Sequence, residues 1–435
     1  KNPYQPCYPT RENRYRFKPA SVEDRYYGWP LLTDLAETAP INGLLEKRHN
    51  SLVDQDRDRL EERMSQYFSA SSWEEARAAG HGLVQEASGF EPRAAWARLT
   101  QHEAFDPERR LVRYQTRPFD RFWCYYTPLP SVWNRARPDF WQTRESWRDL
   151  SRDQAFLVSR WKPRSDPGGP AVWWTSYLID DKFFDPDARV FPVLRSGGSL
   201  GLDRRSNTSD RCRRYLSALG VDAEAEPALV WHHVLALGLS PRFVDTHLDG
   251  ISDDWPRIPL PGVTAGWADS TTWNQDVQAL AADRDRRRLA EALLRGSAGL
   301  GARAACLLDQ TQTDWRAAQP EQVRHLLSSV GRPRFADGTV RVPTPDDLRV
   351  TAGWGTWGQI GRNFGILPGR GIVEERPYDE AELAKVREAG LVLGVGTEDV
   401  LTLLGGTTVD VRINEQFGFY NIPQAVWDFM AGGYQ

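Results

Sequence analysis

Between Leu111 and Trp147 the sequence reads LVRYQTRPFDRFWCYYTPLPSVWNRARPDFWQTRESW, in which Arg113, Arg117, Arg121, Arg135 and Arg137 are interleaved with Phe119, Trp123, Tyr125, Tyr126 and Trp133. Guanidinium groups beside aromatic rings suit two kinds of chemistry. They stack on bases and fork onto phosphates, or they form a sandwich core whose arginines lay their stems over apolar surface and send their heads to water. Composition alone leaves both open. A second stretch, RVTAGWGTWGQIGRNFGILPGRGIVEERPY, sets seven glycines from Gly353 to Gly371 among Trp354, Trp357, Arg362 and Arg370. Gly353, Gly355 and Gly358 match GxGxxG literally. A phosphate-binding loop must open a helix at that point, and the Gly and Pro that follow forbid one, so the stretch reads as a hairpin with tight turns and close backbone approach to DNA or another strand.

The other reactive residue types form no catalytic set. Asp180, Asp181 and Asp185 crowd together, but no PD…(D/E)xK pattern follows them and Lys182 is wrongly placed for one, so they read as turn carboxylates. His232 and His233 are adjacent on a predicted helix, where successive side chains diverge by about 100°, so they make no two-histidine metal face. Cys7, Cys124, Cys212 and Cys306 are widely spaced with no CxxC pair, against both a zinc ribbon and a disulfide framework and in keeping with a reducing, cytoplasmic setting. No Walker lysine and no Ser/His/Asp or Cys/His constellation is present. KNPYQP at the start lacks the second proline and preceding strand of an NPPY-type tetrapeptide. The expected catalytic and metal-ligating sets are therefore empty, and no cofactor is expected on this chain.

The 435 residues suffice for two or three cores. A net charge of −4 argues against binding by bulk basicity, while leaving room for local basic clusters. Arginine far outnumbers lysine, which suits phosphate and guanine recognition but follows equally from GC-rich coding. No apolar run approaches the roughly 20 residues that span a bilayer, so no membrane partner is expected. With no initiator Met and no signal pattern, Lys1 reads as an internal position of a longer chain.

The elements that must position these residues follow from periodicity and punctuation. Lys1–Pro40, rich in Pro, Tyr and Arg, reads as extended. Asp54–Gly89 reads as helical: Leu60, Met64 and Phe68 recur at i, i+4 and i+8, and Ser72 with Glu75 forms a capping box. Strands are expected at 155–161, 171–179 and 189–194, with a turn at Asp166–Pro170. Cys212–Gly238 reads as two helices. Pro256, Pro259 and Pro261 make the next segment an extended tether. One amphipathic helix is expected over Trp273–Arg295, with Val277, Leu280, Leu289 and Leu293 apolar, and Leu300–Leu308 extends the helical part. Asp379–Ala389 and Glu398–Leu404 read as helices. At the end, Val411–Ile413 reads as a strand, then come an aromatic hinge at Phe417, Phe419 and Tyr420 and a short helix with Asn421 as N-cap, Pro423 in its first turn and Val426, Trp427 and Met430 on one face.

Several phrases resemble the C-terminal target-recognition region of Type ISP and Type IIG restriction–modification enzymes, an adenine-N6 DNA methyltransferase family. RPFDRFWCYY and the RARP that follows resemble its "YRPFD.R..YY…R.RP" signature, with Phe122 where the family has its Arg and Arg121 one place early. Ser176, Leu178, Asp180, Phe191 and Pro192 fit its strand progression, WPRIPLP is typical of it, and the closing NEQFGFYNIPQAVWDFMAGGYQ resembles its "N…F.N.P..VW.F..GGYQ" run. The matching phrases fall in order over 1–40, 111–195, 230–262 and 340–435.

The resemblance implies an α+β fold of mixed β-sheet lobes separated by a helical spacer. Expected divisions are 1–110, a linker and helical segment joining to an absent methyltransferase domain; 111–200, a β-rich target-recognition lobe; 201–335, the helical spacer; and 336–435, a C-terminal α+β lobe. It implies a DNA specificity region of a phage-defence enzyme that holds duplex DNA for N6-adenine methylation by a domain not in this chain. The partners implied are duplex DNA and the methyltransferase domain of the same parent or a sister subunit. S-adenosylmethionine is implied for the parent, none for these residues. The DNA-binding side chains expected are Arg117, Arg121, Arg135, Arg137, Arg160, Lys162, Trp357, Arg362, Asn363 and Arg370. Two other readings remain: a protein-interaction module of a defence complex, favoured by the acidic net charge, and a methyltransferase too divergent to show its motifs.

Overall fold

The computed structural model describes residues 22–46, 48, 51–127, 129, 132–133, 154–160, 169–184, 188–197, 203–309, 319–339, 341–344, 346–347 and 372–429. The fold is α+β, as the sequence implies, and it divides into two compact units, one running through Thr311 and the other Gln312–Phe429.

The first unit holds the strands β1 (Ile41–Asn42), β2 (Val53–Asp54), β3 (Leu111–Arg117), β4 (Asp120–Tyr125), β5 (Phe156–Arg160), β6 (Val172–Thr175), β7 (Leu178–Ile179), β8 (Ala188–Pro192), β9 (Leu194–Gly197) and β10 (Asp203–Ser206). They form an antiparallel sheet β1-β8-β5-β6, a sheet β2-β4-β3-β7 in which β3 and β7 run parallel, and a β9–β10 pair. Every residue of β5 is buried, the pattern of a strand covered on both faces. Two helices, Leu229–Leu239 and Arg284–Asp309, pack together and against β6. The longer one turns Ala290, Leu294, Ala298, Gly301, Ala305 and Leu308 inward at helical spacing. Its close approach requires Gly301, where a Cβ would lie 1.8 Å from the His232 carbonyl oxygen. One continuous core runs through the unit and takes in Trp133, Trp173, Trp231 and Trp273.

Two expectations for this region change. The single helix over Trp273–Arg295 is two helices, Ser270–Ala282 and Arg284–Asp309, because Asp283 between them accepts the N–H groups of Asp285 and Arg286 and starts a new first turn. The second helix is therefore re-phased, and Leu289 and Leu293 lie 64% and 55% exposed, not on its buried face. The Pro-rich tether is extended as expected. It is anchored to 27–32: Pro256 O accepts Leu32 N–H, Ile258 N–H donates to Pro30 O, and Arg257 donates to the Tyr27 and Trp29 carbonyls.

The second unit holds β11 (Arg332–Phe335), β12 (Ile372–Pro377), β13 (Thr407–Arg412) and β14 (Phe417–Pro423), all antiparallel in the order β11-β14-β13-β12. Helices Glu321–Ser329, Glu380–Leu393 and Thr397–Leu404 build a small separate core from Val323, Leu326, Val386, Ala389 and Val400. The aromatic hinge is strand β14, and the helix after it, Gln424–Trp427, has four residues. Asn421 does not cap it. It sits within β14 at φ 57°, its side chain accepting from Thr408 Oγ1 and donating to the Ser329 carbonyl. Asn enters that backbone region more readily than most residues with a side chain, and these two bonds across the unit hold it there.

Candidate nucleic-acid interface

The arginine–aromatic stretch folds as the β3–β4 hairpin, closed at Pro118 and Phe119. Phe119 takes φ 63°, and its ring, 49% exposed, packs edge-on against Trp173 at 4.8 Å. Cross-strand pairing puts Arg113 beside Trp123 and Gln115 beside Arg121 on one face and Tyr114 beside Phe122 on the other; the register shifts between Gln115 and Arg117, and past that bulge Arg117 pairs with Asp120. Arg113 lies 3.8 Å over the Trp123 ring, with the Arg57 guanidinium at 5.8 Å from the same ring. The stretch therefore divides between core and surface. Tyr125, Tyr126 and Trp133 are core residues, while Phe119 and Trp123 with its arginines remain at the surface.

Of the ten side chains expected to meet DNA, three fall on described residues. Arg117 is 37% exposed, with Nη1 donating to the Thr116 carbonyl at 2.5 Å and 3.9 Å from Asp180 Oδ1. Arg121 donates from Nη2 to the Asp309 carbonyl at 2.6 Å and lies over the Tyr177 ring at 5.3 Å. It thus places a cation on the carboxyl end of the helix Arg284–Asp309. Arg160 is buried at the end of β5. Arg135, Arg137, Lys162, Trp357, Arg362, Asn363 and Arg370 lie outside the described residues.

Behind the hairpin's other face two depressions adjoin. One, of about 380 Å³, is lined by Glu46, Arg48, Asp54, Arg59, Tyr114, Thr116, Phe122 and Asp180 among others; the second, of about 500 Å³, by Glu46, Thr116, Arg117, Asp120, Asp180 and Lys182. Asp180, on both, accepts the Tyr114 hydroxyl at 2.8 Å and the Lys182 N–H at 2.7 Å. The second bond is the side-chain-to-backbone contact of a turn carboxylate, as the sequence suggests. Burial pushes this carboxyl up to about 6, against the opposing pull of Lys182 N–H, Tyr114 and Arg117. Gly43 makes the strand crossing at Asp180 possible, since a Cβ there would meet the Asp180 carbonyl oxygen at 2.4 Å. Arg48, by contrast, is consumed internally, by Glu46 and the Val132 carbonyl.

His233 is buried and bonded to Ser297 Oγ at 2.6 Å and the Pro259 carbonyl at 2.9 Å, and burial lowers its basicity. Among the described residues no group of three or more His, Cys, Asp or Glu could hold a metal ion, and no helix is long and apolar enough to cross a membrane. Arg57 and Arg59 are not among the side chains expected to meet DNA. Both reach the hairpin, Arg57 at Trp123 and Arg59 at the first depression, and the one signal available was their place one turn after the β2 strand that pairs with β4.

The family model described as "Type ISP C-terminal specificity domain" matches residues 40–330, two thirds of the chain. Among solved structures, the chain is similar to a nuclease-deletion mutant of the Type ISP restriction-modification enzyme LlaGI in complex with a DNA substrate mimic, at 11% identity and TM-score 0.46 over 95% of this chain and 29% of that one. It is similar to the cryoEM DrdV–DNA complex at 12% identity and TM-score 0.46, over 95% and 32%. A third likeness is to the ATP-dependent Type ISP enzyme LlaBIII bound to DNA, at 13% identity and TM-score 0.48, over 95% and 21%. The chain thus spans a third or less of the length of those structures. No curated protein sequence matches it.

Proposed function

Because the chain belongs to the Type ISP C-terminal specificity domain family, we propose that it grips duplex DNA and reads a short site so that an adenine is presented for N6-methylation by an S-adenosylmethionine-dependent domain outside these 435 residues. The observation that carries this reading is the family match over residues 40–330, which spans the whole β3–β4 hairpin and its supports. The hairpin's physical chemistry agrees with it. Arg117 stands half-exposed at the turn beside the exposed Phe119, and the Arg113 guanidinium lies over the Trp123 ring. Arginines in that setting position a duplex through its phosphates, while base edges are read by side chains that enter the grooves. Arg117 is the described residue best placed for a phosphate; Arg135, Arg137, Lys162, Trp357, Arg362, Asn363 and Arg370 complete the proposed set, while Arg121, bonded to the Asp309 carbonyl, and Arg160, buried at the end of β5, leave it. Association with the methyltransferase domain of the same parent, or of a sister subunit in a phage-defence enzyme, completes the proposal.

The test is binding of the chain to random-sequence duplex across a salt series. A log–log slope of several units, reduced by about one in Arg117→Ala, supports DNA recognition through the hairpin. Absence of binding at low salt, together with capture by an isolated adenine methyltransferase domain of this family, would support docking to protein alone.

A further inference from the structure

The antiparallel sheet of the second unit is electrically polar from one edge to the other. Its edge strand β11 carries Arg332 and Arg334, both exposed and two residues apart, so both project from one face about 7 Å from each other. Neither makes an ion pair among the described residues, and Arg334 lies 5.7 Å from the Tyr420 ring on the neighbouring strand. Arg334, Gly418 and Arg412 form one row across β11, β14 and β13. Gly418 has no side chain, and a Cβ there would come within 3.1 Å of Arg412 Cγ, so the Arg412 stem lies over it. The opposite edge, β12, exposes Glu374 and Glu375, and Glu374 faces Arg412 at 3.7 Å. Acidic groups also occur in the turns past Phe335: Asp337, which accepts the Thr339 N–H, and Glu415.

The edge is also held rigid. Gly331, at φ 60°, turns the chain out of the helix Glu321–Ser329, and its N–H donates to the Asn421 carbonyl. The Asn421 side chain ties Thr408 to the end of that helix, which fixes the register of β11 one residue before Arg332. Pro333 between the two arginines has no N–H, so the edge is poorly suited to taking on another β-strand. Two exposed guanidinium groups on a strand of fixed register, no carboxylate on their own or the neighbouring strand and a blocked edge match a polyanion with regularly spaced charges.

We infer that β11 is a phosphate-contacting edge, with Arg332 and Arg334 each engaging the backbone of duplex DNA. The inference rests on the DNA-binding reading above and adds a contact that begins two residues beyond the family match. The bipolar sheet would orient this edge toward the duplex and the Glu374–Glu375 edge away from it.

The experiment is the salt series on the full chain with Arg332→Ala/Arg334→Ala, the charge-keeping Arg332→Lys/Arg334→Lys, and Glu374→Gln/Glu375→Gln on the far edge, each checked for an unchanged melting temperature. The expected result is a log–log slope lower by about two in the alanine pair, roughly 0.9 per phosphate released. Base preference should be unchanged, and the lysine and glutamine pairs should keep the wild-type slope. An unchanged slope in the alanine pair, with wild-type binding intact, overturns the inference and leaves the DNA reading standing. Loss in the alanine pair but not in Arg117→Ala supports this edge and removes the hairpin contact. A wild-type chain that binds no duplex at low salt overturns both.

Discussion

Arg117 and Arg121 stand on either side of one turn, yet their surroundings give them different consequences. Arg121 neutralises the carboxyl end of the helix Arg284–Asp309 through a 2.6 Å bond to the Asp309 carbonyl. Arg121→Ala is therefore expected to cost about 1–2 kcal/mol in urea unfolding, the value of a charged hydrogen bond at a helix end. Arg117→Ala should leave stability within about 0.5 kcal/mol, because its contact with Asp180 is long and its side chain is exposed. A large stability loss in Arg117→Ala would sink that distinction. Asp180 offers a pH test. Its carboxyl is pushed up to about 6 by burial, so between about pH 4 and pH 6 the folded chain keeps a proton that the unfolded chain has released. Its contribution then makes the fold less stable as pH rises through that window, on the order of 2–3 kcal/mol in all. Asp180→Asn should flatten this part of the stability–pH curve; a profile parallel to wild type would show that another group titrates there.

At the scale of the element, the helix Arg284–Asp309 carries an inward row of small residues and an outward face on which Leu289, Leu293 and Leu300 are exposed. Gly301 belongs to the first and Gly296 to the second: a Cβ at 301 would strike the His232 carbonyl, while one at 296 would meet nothing within 4 Å. Gly301→Ala should destabilise by about 1–3 kcal/mol or more, by forcing two packed helices apart. Gly296→Ala should stabilise by about 0.5–1 kcal/mol, by lowering the freedom of the unfolded chain. Thermal melts of the two variants should move in opposite directions; shifts of the same sign would contradict the packing described. The break at Asp283 follows the same logic of local geometry. Its side chain starts the second helix, so Asp283→Ala should cost about 1 kcal/mol and show as lost helical signal before global unfolding.

At the scale of the whole molecule, the two units each have their own core, and that of the second is small. Calorimetry should resolve more than one transition rather than a single two-state event. Arg376 lies on the second unit's sheet and bonds Glu382 at 2.8 and 2.9 Å and Asp410 at 2.7 and 3.2 Å. Arg376→Ala leaves two mostly buried carboxylates without a counter-charge and should lower only that unit's transition, by about 3 kcal/mol. Equal lowering of every transition would show the units to unfold as one. The sequence by itself determined the element types where local signals agree: Leu60 and Met64 at helical spacing after Asp56, the apolar Phe156, Leu157 and Val158 that open β5, the prolines of the tether, and the phrases that carry family membership. These signals are local because backbone sterics, capping and side-chain period act over a few residues. Only the tertiary structure decided which arginines are committed to the fold. Arg121 meets Asp309, Arg257 meets Tyr27 and Trp29, and Asn421 meets Ser329, all partners distant in the chain. A guanidinium looks the same in a sequence whether its hydrogen bonds go to a distant carbonyl or remain open to a phosphate, and burial and pairing, which tell the two apart, exist only once the chain is folded.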